Sequence, residues 1–162
     1  MKIAILGSGG REHALAYAIS KSEKIKKIYC LPGNAGTEDI AENIILDTDN
    51  FKEVYEFLNK EKISLVIVGP EQPLVNGIVD FLEKRNVRVF GPNKIASQLE
   101  GSKIFTKNLC KKHSIPTADF GVFENIEDAK NFLQSVNYPI VIKADNLAAG
   151  KGVYISKNFE EA

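Results

Sequence analysis

Cysteine, long apolar runs and charge of one sign are all scarce in this 162-residue sequence. The two cysteines, Cys30 and Cys110, stand eighty positions apart, with no CxxC spacing and no neighbouring ligand cluster. A disulfide framework or a metal knot is therefore not expected, and both residues read as reduced, structural thiols. Lysine plus arginine is 21 and aspartate plus glutamate is 21, so the formal net charge is zero. Without a basic field to hold a phosphate backbone, neither nucleic acid nor an anionic membrane is an expected partner. The longest apolar runs cover only four to six residues, too few to span a bilayer. The segment Met1-Lys2-Ile3-Ala4-Ile5-Leu6-Gly7 reaches glycine before any signal-peptide core can develop, so a cytoplasmic location is expected.

What is present is ordinary globular material: 44% hydrophobic and 26% charged residues, which excludes disorder as an overall description. The length suits one domain, or a small domain with part of another. Over the first ninety residues, short apolar runs alternate with helical patterns, the signature of βαβ units around a parallel sheet. Strands are expected at Lys2–Leu6, Lys27–Leu31, Asn43–Leu46, Leu65–Val68 and Val87–Phe90. Each is apolar enough to be covered on both faces. Helices are expected at Arg11–Ser22, Phe51–Lys60 and Val75–Arg85, from apolar residues at helical spacing. The fold class is α/β, an open parallel Rossmann-like sheet with helices on both faces.

After Gly91-Pro92 the alternation stops, and two helical stretches, Asn93–Glu100 and Ser102–His113, follow without a strand between them. A new pattern begins at Ile115-Pro116, with a strand near Asp119–Phe123, a helix at Ile126–Val136, and strands at Pro139–Lys143 and Val153–Ser156. A loop of about nine residues without a helix joins the last two, which predicts an antiparallel hairpin. Asn158–Ala162 opens a further helical pattern. The expected organisation is a first domain over 1–100, a helical linker over 101–116 and an incomplete second domain over 117–162, whose exposed apolar faces leave it loosely held.

Chemistry concentrates in four loops. Gly7-Ser8-Gly9-Gly10-Arg11-Glu12-His13 lies between the first strand and the first helix, where backbone amides hold anions. A dinucleotide fingerprint needs glycine at position 12 and finds Glu12, and no acidic residue ends the second strand. A phosphate monoester suits the loop better: Gly9 and Gly10 permit close backbone approach and Arg11 adds a permanent, planar cation. A tight structural turn with Arg11 in solvent is the bland alternative, and His13 serves ligand contact or helix packing equally well. The loops Pro32–Thr37 and Gly69–Leu74 leave the carboxyl ends of the second and fourth strands, beside the crevice of an open parallel sheet. There Asn34, Gly36 and Thr37 would contact hydroxyl or amine groups, and Glu71 a cationic amine. The fourth loop, Lys143–Gly152, matches a P-loop only superficially, since Asp145 stands where the first glycine belongs and Gly152 replaces Ser or Thr. With Lys143 at its start and Lys151 within it, it can fold over nucleotide phosphates as a lid. Lys111-Lys112-His113 complements a helix dipole, and Glu160-Glu161 is assigned no role.

Five blocks, at 7–13, 32–37, 68–74, 99–103 and 143–153, resemble in order and spacing those of the phosphoribosylamine–glycine ligase family of the ATP-grasp superfamily. Asn146 departs from the family's usual glycine, and its tolerance of left-handed backbone is expected to preserve the loop. The resemblance implies a pre-ATP-grasp domain followed by the start of an ATP-grasp domain. It also implies ATP-dependent joining of glycine to 5-phosphoribosylamine through a glycyl phosphate, with ATP and Mg²⁺ or Mn²⁺ required. Lys103 and Lys143 resemble the two nucleotide-contacting lysines, and Ala148, Ala149, Gly150, Lys151 and Gly152 the glycine-rich lid. The family's metal ligands and most of its ATP cleft fall outside this sequence, so the chain alone is expected to be inactive. A dinucleotide-binding module and a non-catalytic ligand-binding domain are the alternative readings.

Overall fold

The structure, a computed structural model, describes residues 1–148 and 151–162. The chain forms two compact units, Met1–Ser97 and Gln98–Ala162. In the first, β1 (Lys2–Gly7), β2 (Lys27–Pro32), β3 (Glu42–Asn43), β4 (Leu65–Val68) and β5 (Val89–Phe90) form one sheet in the order β3-β2-β1-β4-β5. Every pairing is parallel. Five strands were expected and five occur, but the third and fifth are only two residues long. Both are edge strands with a single paired neighbour, so the ladder hydrogen bonds that define a strand form on one side only.

Side-chain alternation splits the sheet between two apolar layers. Ala4, Leu6, Tyr29, Leu31, Val66 and Val68 face Val54 and Leu58 of α2 (Phe51–Lys60) and Ile78, Val79 and Leu82 of α4 (Ile78–Glu83). Ile3, Ile5, Ile28, Cys30 and Ile67 face Leu15, Ala16 and Ile19 of α1 (Gly10–Ser20). Near-continuous apolar strands are what a parallel sheet covered on both faces requires. Cys30 is buried and free, and burial pushes its thiol up from the ordinary value. The helix expected over Val75–Arg85 is instead two: α3 (Glu71–Asn76) and α4, broken where Gly77 adopts φ 97°. Helical spacing persists through that break, which is why periodicity alone merges the two.

In the second unit, α5 (Lys94–Gly101), which begins in the first unit, leads to α6 (Lys103–Lys112), and α7 (Ile126–Leu133) precedes an antiparallel hairpin of β6 (Ile140–Lys143) and β7 (Val153–Ser156). The hairpin is as expected. Residues 119–123 form no strand, since no neighbouring strand offers them a ladder, and 158–162 form a turn in which Glu161 accepts from the Lys157 amide at 2.8 Å. Among the described residues every buried hydrophobic side chain belongs to the first unit, while Val141, Val153, Tyr154 and Ile155 of the hairpin are exposed. No helix among the described residues is long and apolar enough to cross a membrane.

Ile5 lies on the central strand with no exposure, and Ile45 is 93% exposed. Ile5→Ala should lower unfolding free energy in a denaturant titration by about 2–5 kcal/mol, whereas Ile45→Ala should stay within about 0.5 kcal/mol. At the amino edge of the sheet the Tyr29 hydroxyl donates to Glu61 at 2.6 Å and Lys2 donates to the same oxygen at 3.1 Å. These donors hold the Glu61 carboxyl below its ordinary 4.5. The contact therefore adds stability above that value, and the contribution disappears as pH falls through the lower folded-state value. Glu61→Gln should make acid unfolding begin less steeply than in the parent when melting temperature is followed from pH 6 to pH 3.

Candidate functional site

The carboxyl ends of β2, β1 and β4 are knitted side by side beyond the ladder proper. The Gly33 amide donates to the Gly7 carbonyl at 3.1 Å and the Gly69 amide to the Leu6 carbonyl at 3.2 Å. Beyond that edge a cavity of about 480 Å³ opens, within the range of small-molecule sites. Its walls come from Gly7, Ser8, Gly9, Arg11 and Glu12 of the first loop, and from Pro32 at the end of β2. The loop before α2 adds Leu46, Asp47 and Thr48, and Pro70 and Glu71 follow β4. This is the crevice position of an open α/β sheet, where the chain leaves one half of the sheet for the other.

Glu12 explains why the dinucleotide pattern fails. It is buried, at 4% exposure, and its carboxylate accepts the Gly9 amide at 2.6 Å. A Cβ on Gly7 would come within 2.7 Å of the Glu12 carboxyl carbon, and one on Gly69 would overlap its oxygen. Gly7 also has φ 119°, a backbone region that L side chains rarely adopt. The glycines at 7 and 69 thus make room for the chain's own carboxylate. A negative group in that place, holding the Gly9 amide, opposes a pyrophosphate. Gly10 differs, because a Cβ there would meet nothing within 4 Å. The first amides of a helix have no intrahelical partner, and the residue before α1, Gly9, has no side chain to accept them, while Glu12 takes only the Gly9 amide. The amides of Gly10 and Arg11 accordingly find no acceptor among the described residues, whereas the Gly9 amide, expected to be open to a ligand, is already bonded.

Arg11 reaches across to the β4 loop, donating to the Gly69 carbonyl at 3.3 Å and lying 3.8 Å from Glu71. The pair is exposed enough to contribute little to stability and to open readily. Asn34 and Thr37 stand differently from expectation. The Asn34 amide donates to the carbonyls of Ser8 (2.9 Å) and Gly9 (3.3 Å), while its oxygen accepts from the amides of Gly36 (2.8 Å) and Thr37 (3.2 Å). All four of its hydrogen-bonding positions are filled. Thr37 is fully buried, its hydroxyl accepting from the Asn34 amide at 2.9 Å and lying 2.7 Å from Asn43 Oδ1. Asn34 ties the β2 loop to the first loop and Thr37 braces the β2 loop internally through Asn34 and Asn43, and neither has a group to offer a ligand in this arrangement. Gly36 allows the His13 ring close approach, since a Cβ would stand 2.6 Å from Cε1. His13 therefore packs against the loop. Asp47 and Thr48 reach the cavity although no motif marks them; only the end of the third strand hinted at their place.

Within the second unit, the Ser102 hydroxyl caps α6 by accepting the Phe105 amide at 3.0 Å and lies 3.0 Å from Asp145, which also accepts the Ile104 amide at 3.0 Å. Lys103 donates to the Asn146 carbonyl at 2.8 Å. The root of the glycine-bearing loop is thereby fastened to the start of α6, which no sequence spacing revealed. Asn146 is not left-handed: among the described non-glycine residues only Lys62, Asn86 and Ser114 have positive φ. The ammonium groups of Lys143 and Lys151 have no partner among the described residues. The Lys151 amide donates to the Ala148 carbonyl at 2.8 Å, and Gly152 packs where a Cβ would be 2.9 Å from that of Ala148. Ala149 and Gly150 lie outside the described residues. Among the described residues no group of three or more His, Cys, Asp or Glu could hold a metal ion.

Gly69 and Gly10 provide a matched test. Gly69→Ala must displace the buried Glu12 carboxylate and should cost about 1–3 kcal/mol. Gly10→Ala, in open space at the first turn of a helix, should leave stability unchanged or raise it by up to about 1 kcal/mol in the same denaturation experiment.

Comparison with known proteins gives a consistent result over the whole chain. Residues 1–100 match the family model for the phosphoribosylglycinamide synthetase N domain, and residues 101–162 that for the phosphoribosylglycinamide synthetase ATP-grasp (A) domain. A phosphoribosylamine–glycine ligase of Clostridium acetobutylicum is 48% identical over 100% of the chain and 39% of its own length. That of Escherichia coli is 46% identical over 100% of the chain and 38% of its own length. The crystal structure of phosphoribosylamine–glycine ligase from Thermotoga maritima superposes with a TM-score of 0.78 at 36% identity, covering 99% of this chain and 37% of that one. The chain thus spans about two fifths of the relatives it matches, and it belongs to the phosphoribosylglycinamide synthetase family.

Proposed function

We propose that the chain supplies the phosphoribosylamine-binding part, and a share of the nucleotide-binding part, of a cytoplasmic enzyme of purine synthesis. That enzyme uses ATP to join glycine to 5-phosphoribosylamine. The observation that carries this reading is the start of α1. There the unbonded amides of Gly10 and Arg11, and open space above Gly10, fall between Gly9 and Arg11, which line the cavity, and the Arg11 guanidinium is releasable. Helix N-termini favour anions, and an arginine fork matches phosphate oxygens. The 5′-phosphate would sit here, and on reaching it Arg11 would leave Glu71, whose freed carboxylate suits the substrate amine. Asn34, Gly36 and Thr37 serve this site by holding the loop that Arg11 projects from.

In the proposed reaction the glycine carboxylate takes the γ-phosphoryl group of ATP, ADP leaves and a glycyl phosphate forms. The amine nitrogen then attacks the acyl carbon, the bond to phosphate breaks and the nitrogen loses a proton as the amide forms. Phosphoryl transfer of this kind depends on positioning and on cations around the phosphates. Lys143 and Lys151, whose ammonium groups have no partner among the described residues, would supply such charge, and Lys103 would do so on leaving the Asn146 carbonyl. Ala148, Ala149, Gly150 and Gly152 would let the lid backbone come close to the nucleotide. A divalent ion, Mg²⁺ or Mn²⁺, would neutralise the triphosphate, but the described residues do not make a site for one.

Calorimetry with glycinamide ribonucleotide tests the phosphate assignment. Arg11→Ala should weaken binding about tenfold or more, the loss of one charge-assisted contact. Equal affinity in parent and variant would remove Arg11 from the site.

A further inference from the structure

The cavity contains a carboxylate that the proposed phosphate and amine contacts leave unused. Asp47 belongs to the loop between β3 and α2 and lines the same cavity as Ser8, Gly9 and Arg11. Its Oδ1 accepts the Asp49 amide at 2.9 Å, which sets the side chain in a short local turn. Its second oxygen has no donor, and the neighbouring Thr48 hydroxyl no partner, among the described residues. No cation compensates the charge among the described residues, unlike Glu71, which has Arg11; only the Asp49 amide meets it, on one oxygen. A carboxylate in such a wall repels phosphate and attracts hydroxyl donors, two of which on adjacent carbons can reach one carboxylate together.

We propose that Asp47, with Thr48 beside it, binds the vicinal diol of the pentose and makes the site selective for ribose over 2-deoxyribose. In the fold this places the diol contact in the loop that follows the third strand. The second strand, which ends in Leu31-Pro32-Gly33, offers no acidic residue. The inference rests on the phosphate reading of the Gly10–Arg11 amides, because the phosphate end fixes which part of the sugar faces Asp47.

The test is calorimetry on the 162-residue chain with ribose 5-phosphate, 2-deoxyribose 5-phosphate and inorganic phosphate, using the parent, Asp47→Asn and Arg11→Ala. The Asp47→Asn change removes the charge and turns one acceptor into a donor, yet it keeps an oxygen to receive the Asp49 amide, so the turn survives; unchanged melting temperature checks this. The parent should prefer ribose 5-phosphate by about tenfold, the range for a hydrogen bond to a charged group. Asp47→Asn should lose most of that preference while binding inorganic phosphate as the parent does. Arg11→Ala should weaken all three ligands and keep the preference between the two sugar phosphates. Equal binding of the two sugar phosphates by the parent, or an undiminished preference in Asp47→Asn, would overturn the diol assignment and leave the phosphate reading standing. Failure of the parent to bind any of the three would overturn both.

Discussion

The position of β1 governs the first unit. It is the central strand, paired in parallel to β2 on one side and β4 on the other, with Ile3 to Leu6 buried on alternate faces. Since both neighbours run the same way, their loops emerge at one edge, and the close of β1 at Gly7 falls between them. Glu12 completes this arrangement from the first helix. Its carboxylate occupies the space beside Gly7 and Gly69 and takes the Gly9 amide, so one buried side chain sets the course of two loops. Side-chain burial in the sheet and the shape of the cavity are therefore consequences of the same parallel geometry.

The loops around the cavity divide into groups that hold and groups that are available. Asn34 and Thr37 hold: every polar position of Asn34 is filled, and Thr37 is inaccessible. Arg11 and Glu71 are available, paired weakly across the mouth, as are the second oxygen of Asp47 and the Thr48 hydroxyl, which have no partner among the described residues. A rigid frame around a few releasable charges is a common way to bind a small polar molecule, because the frame has little conformational freedom left to lose. The second unit repeats the division on a smaller scale. Asp145 and Ser102 anchor the loop root at the start of α6, while Lys143 and Lys151 find no partner for their ammonium groups among the described residues. Val141, Val153, Tyr154 and Ile155 stay exposed along the hairpin, in contrast to the two closed layers of the first unit.

Much of this was legible in the residues. Strand runs such as Leu65–Val68, the helical spacing of Phe51–Lys60 and the antiparallel hairpin follow from local pattern and loop length, and they occur as read. The failed third glycine at Glu12 was likewise visible, though not that its carboxylate would be buried and take the Gly9 amide. Local pattern misled where its signal survives a break, as at Gly77, or where an apolar stretch has no partner strand, as at 119–123. Among site residues, the chemical type of Asn34 and Thr37 was plain but their use was not. A short polar side chain serves a ligand or a neighbouring loop according to what lies beside it, and the Ser8 and Gly9 carbonyls come from 26 and 25 residues away.

The order of residues was enough to establish the alternation of strand and helix, the glycine-rich turns at the strand ends and the family to which the chain belongs, because these are written in local periodicity and in motifs of fixed spacing. Long-range packing was needed to bury Glu12 beneath the first loop, to bring Arg11 to Glu71, to fasten the loop of Asp145 to α6, and to set Asp47 and Thr48 in the cavity wall. Each of these depends on bringing together segments far apart in the chain or on which side of a loop faces a neighbour. No local pattern encodes that, since it follows from the order in which the strands pair.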